Sequence, residues 1–265
     1  MAEKTLYYTD PENDDFAPVA LEPKPLKANF PFVIKNPFWC AAEFVFYRII
    51  ATPLIWIISK AGFGLRIKNR RALKKLRGTG YYMYGNHTQD MMDAYSPTLV
   101  NFPRFTHIAV SPQTVASPAL RIPVQLLVGI PVPRDAAGLR AFMKALSYRV
   151  SQKRVVTVYP EAHIWPWYTG IRPFSDKSFM YPVKDNVPVV ACVTTYRKRR
   201  IFKKLPPLMT VTVSDPFYPD RSLDDRRARN KLRDQVYDFM CSISSSPDNY
   251  AYYEYVRKDK DGVTE

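Results

Sequence analysis

The 265-residue chain carries 39 Lys and Arg against 24 Asp and Glu, a formal net charge of +15. With hydrophobic residues at 46%, it has the apolar content to bury one substantial core, which excludes a wholly disordered polyelectrolyte. The charge favours a polyanionic partner (nucleic acid, anionic lipid, a phosphorylated substrate or an acidic carrier protein) without choosing among them.

Residues 1–37 contain Pro11, Pro18, Pro23, Pro25, Pro31 and Pro37 with no sustained periodicity, and read as an extended leader. They are too polar and acidic for a cleavable signal peptide. Residues 38–64 change character, with Phe38-Trp39, Phe44-Val45-Phe46-Tyr47 and an uncharged run from Ile49 to Ser59. That run falls short of the about 20 residues a spanning helix needs. Glu43, Arg48 and Pro53 interrupt any longer reading, and Pro53 suits the first turn of a second helix. The segment predicts a helix–break–helix hairpin lying in the membrane interface, presenting Trp39, Phe46, Trp56 and Ile57 beside basic residues.

Residues 65–265 predict one domain. Strands are expected at 81–85, 106–110, 130–133, 154–159, 187–194 and 208–213. Helices are expected near 90–100, 115–127, 136–150 and 222–243, the third with Asp135 as its N-cap. This alternation predicts an α/β fold with a mostly parallel central sheet flanked by helices. Two basic clusters stand apart: Arg66 to Arg77, and Arg197-Lys198-Arg199-Arg200 with Lys203-Lys204. Cys40, Cys192 and Cys241 lie far apart and read as reduced thiols; with only three histidines, no metal-ligand spacing is present.

The chemistry concentrates at the end of the strand Tyr81-Tyr82-Met83-Tyr84. There Gly85-Asn86-His87 is followed by Asp90 and Asp93. An imidazole at a strand–helix junction with a carboxylate about one turn away has the parts of an oriented general base. Asp93 is expected to orient His87; Asp90 is the alternative, and its position suits capping the helix from Met91. Three segments follow in order: Gly129-Ile130-Pro131-Val132-Pro133-Arg134, then Val155 to Glu161 with its Tyr159-Pro160-Glu161 turn, then Val187-Pro188-Val189-Val190.

Together these segments resemble the four ordered blocks of the glycerolipid acyltransferase family, which includes 1-acylglycerol-3-phosphate acyltransferases. The resemblance spans roughly Leu65 to Pro216. It departs from the usual pattern in having five residues between His87 and Asp93 rather than four. Ala162-His163 also stands where that family has Gly-Thr-Arg, so a basic group could come instead from Arg172. The resemblance implies transfer of an acyl group from acyl-CoA or acyl-carrier protein to a lysophospholipid, for phospholipid synthesis at the cytoplasmic face of a membrane, with no cofactor. His87 and Asp93 would be catalytic. Asn86, Gly129, Arg134, Pro160, Glu161 and Arg172 would serve the substrate, Arg134 holding the acceptor phosphate as a bidentate fork. Backbone amides after His87 would receive the oxyanion. No acyl-enzyme is required, in keeping with the absence of a Gly-x-Ser-x-Gly elbow around Ser96 or Ser111. A basic protein that only binds membrane or nucleic acid would explain the charge but not this constellation.

Overall fold

Strands and helices alternate as the apolar runs predict, and in the computed structural model they build a seven-stranded sheet covered on both faces. The structure describes residues 3–17, 26, 30–116 and 118–258; Pro18, Pro23 and Pro25 of the leader lie outside them. The chain begins with β1 (Lys4–Tyr8), α1 (Pro37–Phe44), a π-helical segment (Val45–Ala51), α2 (Thr52–Ala61) and β2 (Arg66–Lys68). It continues through β3 (Tyr81–Gly85), α3 (Met92–Asn101), β4 (Thr106–Val110), α4 (Gln113–Ala116), α5 (Pro118–Leu126) and β5 (Gly129–Pro131). Then come α6 (Ala136–Ser151), β6 (Val155–Val158), α7 (Met180–Asp185), β7 (Val189–Arg197), β8 (Leu208–Val213), α8 (Asp225–Ser244) and β9 (Tyr253–Arg257).

The sheet order is β2-β8-β7-β3-β6-β4-β5, and every neighbouring pair is parallel except β7–β8. β3 is central and fully buried, which is why its sequence is a continuous apolar and aromatic run rather than an alternation. Its tyrosines keep their polar tips paired: Tyr82 donates to Asp185, Tyr84 to the Ser178 carbonyl, and Tyr81 to Asn101. Alternate residues feed two cores. Tyr81 and Met83 pack with Ala51, Ile55, Met92 and Val100 on one face. Tyr82 and Tyr84 pack with Phe142, Phe179, Leu232 and Val236 on the other. The helix after β3 and the helix after β6 therefore lie on opposite faces of adjacent strands. Such a switch point opens a crevice at the carboxyl ends of the strands.

The N-terminal apolar segment differs from the expected hairpin. Pro37–Ala61 is one continuous helix, long and apolar enough to cross a membrane. Pro53 has no N–H to give the preceding turn, and the helix absorbs this by widening to π spacing, with the Thr52 amide reaching back to Tyr47 O. One stripe, from Glu43 through Tyr47, Ala51 and Ile55 to Ser59, is buried along its length. Glu43 pairs with Arg154 at 3.3 Å, and Tyr47 stacks on Phe105. The opposite face exposes Phe44, Val45, Ile49, Ile50, Leu54, Trp56 and Ile57. Trp39 and Phe46, expected on that apolar surface, are partly buried instead.

A second, two-stranded sheet joins parallel β1 and β9, pairing Lys4 with Tyr253 through Tyr8 with Arg257. The leader thus contains a strand that its sequence did not announce.

Candidate active site

β3 ends at Gly85, and the chain turns at Asn86-His87 before α3. The turn is organised by Asp93 from inside the helix. Its Oδ2 accepts from the Thr88 amide at 2.7 Å and the Gln89 amide at 2.8 Å, and lies 2.9 Å from His87 Nδ1. Asp93 is therefore the carboxylate on the ring, as its spacing predicted. Asp90 does not cap the helix as expected: α3 has no side-chain cap, and the Asp93 amide bonds the Gln89 carbonyl instead. The bonds to Asp93 Oδ2 occupy the Thr88 and Gln89 amides, so of the amides after His87 these two are not free for an oxyanion.

A carboxylate oxygen only accepts, so Nδ1–H donates to Asp93, and Nε2 is the ring nitrogen left over for a base's role. The Asp93 side chain is only 2% exposed and that of His87 24%. Burial pushes the Asp93 carboxyl above the usual range, while the His87 ring and the two amides pull it back down. Asp90 is raised too, by burial and then by its neighbour Asp93.

The Tyr-Pro-Glu turn after β6 holds His87 from the other side. Glu161 Oε2 accepts from the His87 amide at 3.1 Å, Trp165 N donates to His87 O, and Trp167 N donates to Thr88 O. Glu161 is itself braced by Arg172, whose amide reaches Oε1 at 3.1 Å and whose guanidinium lies 3.4 Å from Oε2. That guanidinium also contacts the His163 carbonyl and sits over the Trp165 ring. Burial raises the Glu161 carboxyl, and Arg172 is the largest influence lowering it. Ala162, in the place of the expected glycine, is held at φ 63°, a left-handed conformation that costs an L-residue about 1 kcal/mol.

Tyr159 stacks on His87, and Gly85 is what admits it: a Cβ at Gly85 would lie 2.7 Å from the Tyr159 ring. Together His87, Asp93, Tyr159 and Pro160 line a cavity of about 580 Å³. Its walls are apolar, from Ile108, Val110, Val132, Phe142 and Val158. Lys177 is the one cation among its lining residues.

The structure sorts the other predicted residues plainly. Asn86 does not line the cavity; its amide oxygen accepts from Thr194 N at 2.8 Å and its amide nitrogen donates to Thr194 O at 3.0 Å, extending the β3–β7 ladder by one rung. Gly129 lies at the start of β5, where a Cβ would meet Val124 Cγ1 at 2.7 Å. Arg134 follows β5 at the same edge of the sheet, but is exposed and outside the cavity lining. Glu161 and Arg172 are buried behind the cavity rather than in it. Sequence reasoning missed Lys177, Trp165, Trp167 and Tyr196, whose hydroxyl bonds Thr88 and Gln89. The one available signal was two tryptophans in a loop just past the Pro-Glu turn.

Neither protein-family models nor curated protein sequences match the chain. Its fold does have a solved counterpart. The chain is similar to the crystal structure of the 1-acyl-sn-glycerophosphate (LPA) acyltransferase PlsC from Thermotoga maritima, with a TM-score of 0.54. The match covers 82% of this chain and 91% of that chain, at 15% sequence identity. What is shared at that identity is the fold: a mainly parallel sheet flanked by helices.

Proposed function

We propose that the chain is an acyltransferase, moving a fatty acyl group from a thioester of coenzyme A or acyl-carrier protein to the hydroxyl of a 1-acylglycerol-3-phosphate. The observation that carries this reading is the His87–Asp93 pair, 2.9 Å apart, opening onto an apolar cavity at the carboxyl edge of the sheet. The acyltransferase fold it shares adds weight.

His87 Nε2 takes the proton of the acceptor hydroxyl as its oxygen attacks the thioester carbonyl carbon. Asp93 stabilises the imidazolium that forms. As the tetrahedral intermediate collapses the carbon–sulfur bond breaks, and the imidazolium returns its proton to the departing thiolate. No atom of the chain is acylated, because the thioester is already activated. Cys192 is no rival nucleophile: burial pushes its thiol up to about 12. Glu161, Arg172 and Trp165 hold the His87 backbone and are positioning residues. Lys177 is the cavity's candidate for the acceptor phosphate, and Arg134 would meet a headgroup that extends past the lining.

The exposed apolar face of Pro37–Ala61 supports docking at a membrane. Its opposite stripe is packed on the domain along its length, which favours a helix lying in the interface over one crossing it. The net charge of +15 fits the anionic cytoplasmic leaflet. Purified protein incubated with acyl thioesters and a panel of lysolipids tests the reading: transfer to lysophosphatidate, abolished by His87→Ala, is expected. Hydrolysis alone, or no turnover with any pair, would end it.

A further inference from the structure

A second hollow among the described residues takes no part in the reading above. It has a volume of about 880 Å³ and lies where the polar face of β2, β8 and β7 runs out beyond the end of α8. Thr195, Thr210 and Thr212 form its floor, and Lys68, Arg197, Lys198, Arg199, Arg200 and Lys203 surround it. Against these six cations the lining offers a single carboxylate, that of Asp248. Arg197 and Arg199 are fixed by carbonyls, Arg197 to Gly64 and Met209, Arg199 to Gly62 and Pro206. Lys68, Arg200 and Lys203 have no acidic partner among the described residues. Burial, then the like charges of Arg66 and Arg199, pulls the Arg197 guanidinium below its ordinary value.

We infer that this hollow binds an anion carrying several clustered phosphates. Charge, hydroxyl donors and fixed guanidinium groups are what phosphate oxygens require, and one monoanion would leave most of the cations unbalanced. Two sources present that chemistry: the nucleotide end of a soluble coenzyme A thioester, and a polyphosphorylated lipid headgroup. The rim bears on both. Its loop exposes Ile201 and Phe202, each 73% exposed, and is tied to the end of the apolar helix at Gly62, so it can meet a membrane. Tyr196, at the inner wall, bonds the Thr88 of the His87 turn, so occupancy is linked to the candidate active site through one side chain.

Binding, not turnover, is the readout, so the inference stands apart from the acyl-transfer reading. The intact chain would be titrated calorimetrically with coenzyme A and with inositol 1,4,5-trisphosphate, and sedimented with vesicles containing a phosphoinositide. Binding of coenzyme A alone supports the soluble source, binding of the trisphosphate and vesicles alone supports the headgroup, and binding of all supports the shared chemistry. Lys68→Ala/Arg200→Ala/Lys203→Ala should weaken whichever probe binds by about 100-fold, each cation near a polyanion contributing about a factor of five. Arg71→Ala/Lys74→Ala/Arg77→Ala removes equal charge from the other basic cluster and should leave binding nearly unchanged. Failure of every probe to bind, or equal loss in both triple variants, overturns the inference.

Discussion

The ring of Tyr159 stacks on that of His87, centroids 4.8 Å apart and 23° between planes, while its hydroxyl donates to the Asp93 carbonyl. One side chain thus fixes the base and the element carrying its orienter. Tyr159→Phe keeps the stack and should lower kcat by no more than about fivefold, the worth of one net hydrogen bond. Tyr159→Ala frees the imidazole and should lower it about 100-fold. Wild-type turnover in the alanine variant would show the stack to be idle.

Asp93→Asn preserves shape and, with its amide oxygen in the place of Oδ2, can still accept the Thr88 and Gln89 amides and His87 Nδ1–H. It carries no negative charge, so the imidazolium that forms when Nε2 takes a proton is no longer stabilised. A fall in kcat of about 10³- to 10⁴-fold is expected with an unchanged circular dichroism spectrum. Asp90→Asn should change kcat by less than about tenfold. The opposite ranking would move the orienting role to Asp90.

Lys177 lines the cavity and Arg134 does not. Lys177→Ala should raise KM for the lysolipid acceptor about 10- to 100-fold, with a smaller change in kcat. Arg134→Ala should raise it less than about fivefold. Kinetics in which Arg134 dominates would restore the bidentate arginine that the sequence offered.

Cys40 and Cys192 should separate by reactivity. Cys40 is exposed, whereas Cys192 is buried with its thiol pushed up to about 12. At pH 7 only about 10⁻⁵ of Cys192 is thiolate. A short iodoacetamide pulse followed by mass spectrometry should label Cys40 and leave Cys192 untouched until denaturant is added. Labelling of Cys192 in the native protein would contradict its burial.

Leu54, Trp56 and Ile57 are each more than half exposed on the outer face of the apolar helix. Leu54→Ser/Trp56→Ser/Ile57→Ser should cut sedimentation with anionic vesicles about 100-fold, at roughly 1 kcal/mol per half-exposed side chain. The thermal midpoint should barely move. Glu43→Ala, on the inner face, should do the reverse: it strands Arg154 and should cost about 1–3 kcal/mol of stability. Vesicle binding that survives the serine triple would place the docking surface elsewhere.

The strands at 81–85, 106–110 and 208–213 were legible residue for residue, because buried parallel strands and a clean Thr/Val alternation leave unmistakable local patterns. Asp135 caps α6 through the Gly138 amide, also as read. What escaped depends on partners far away in the chain. Lys4–Tyr8 has strand chemistry only because Tyr253–Arg257 lies beside it, and Arg66-Ile67-Lys68 is too short and too charged to stand out. Pro53 predicts a break because the local rule is strong, and π widening is its rarer alternative. At the site, the expected contact between His87 and Asp93 is present. Spacing could not show that Asn86, Glu161 and Arg172 turn inward, since only packing decides which side of a loop faces a cavity.

The pairing of β1 with β9 has a consequence for how the protein is made. Its partners Thr5 and Glu254 are 249 positions apart, so β1 waits unpaired while the whole domain between them is made. Until β9 leaves the ribosome, Trp165 lacks Tyr255, which stacks on it at 4.8 Å. Trp165 in turn carries the amide that holds the His87 carbonyl. A nascent chain stalled before Tyr253 would have its base and its orienting carboxylate, but not the ring stacked behind the loop that holds them. A strand translated long after the His87 turn thus completes the packing behind the loop that holds it.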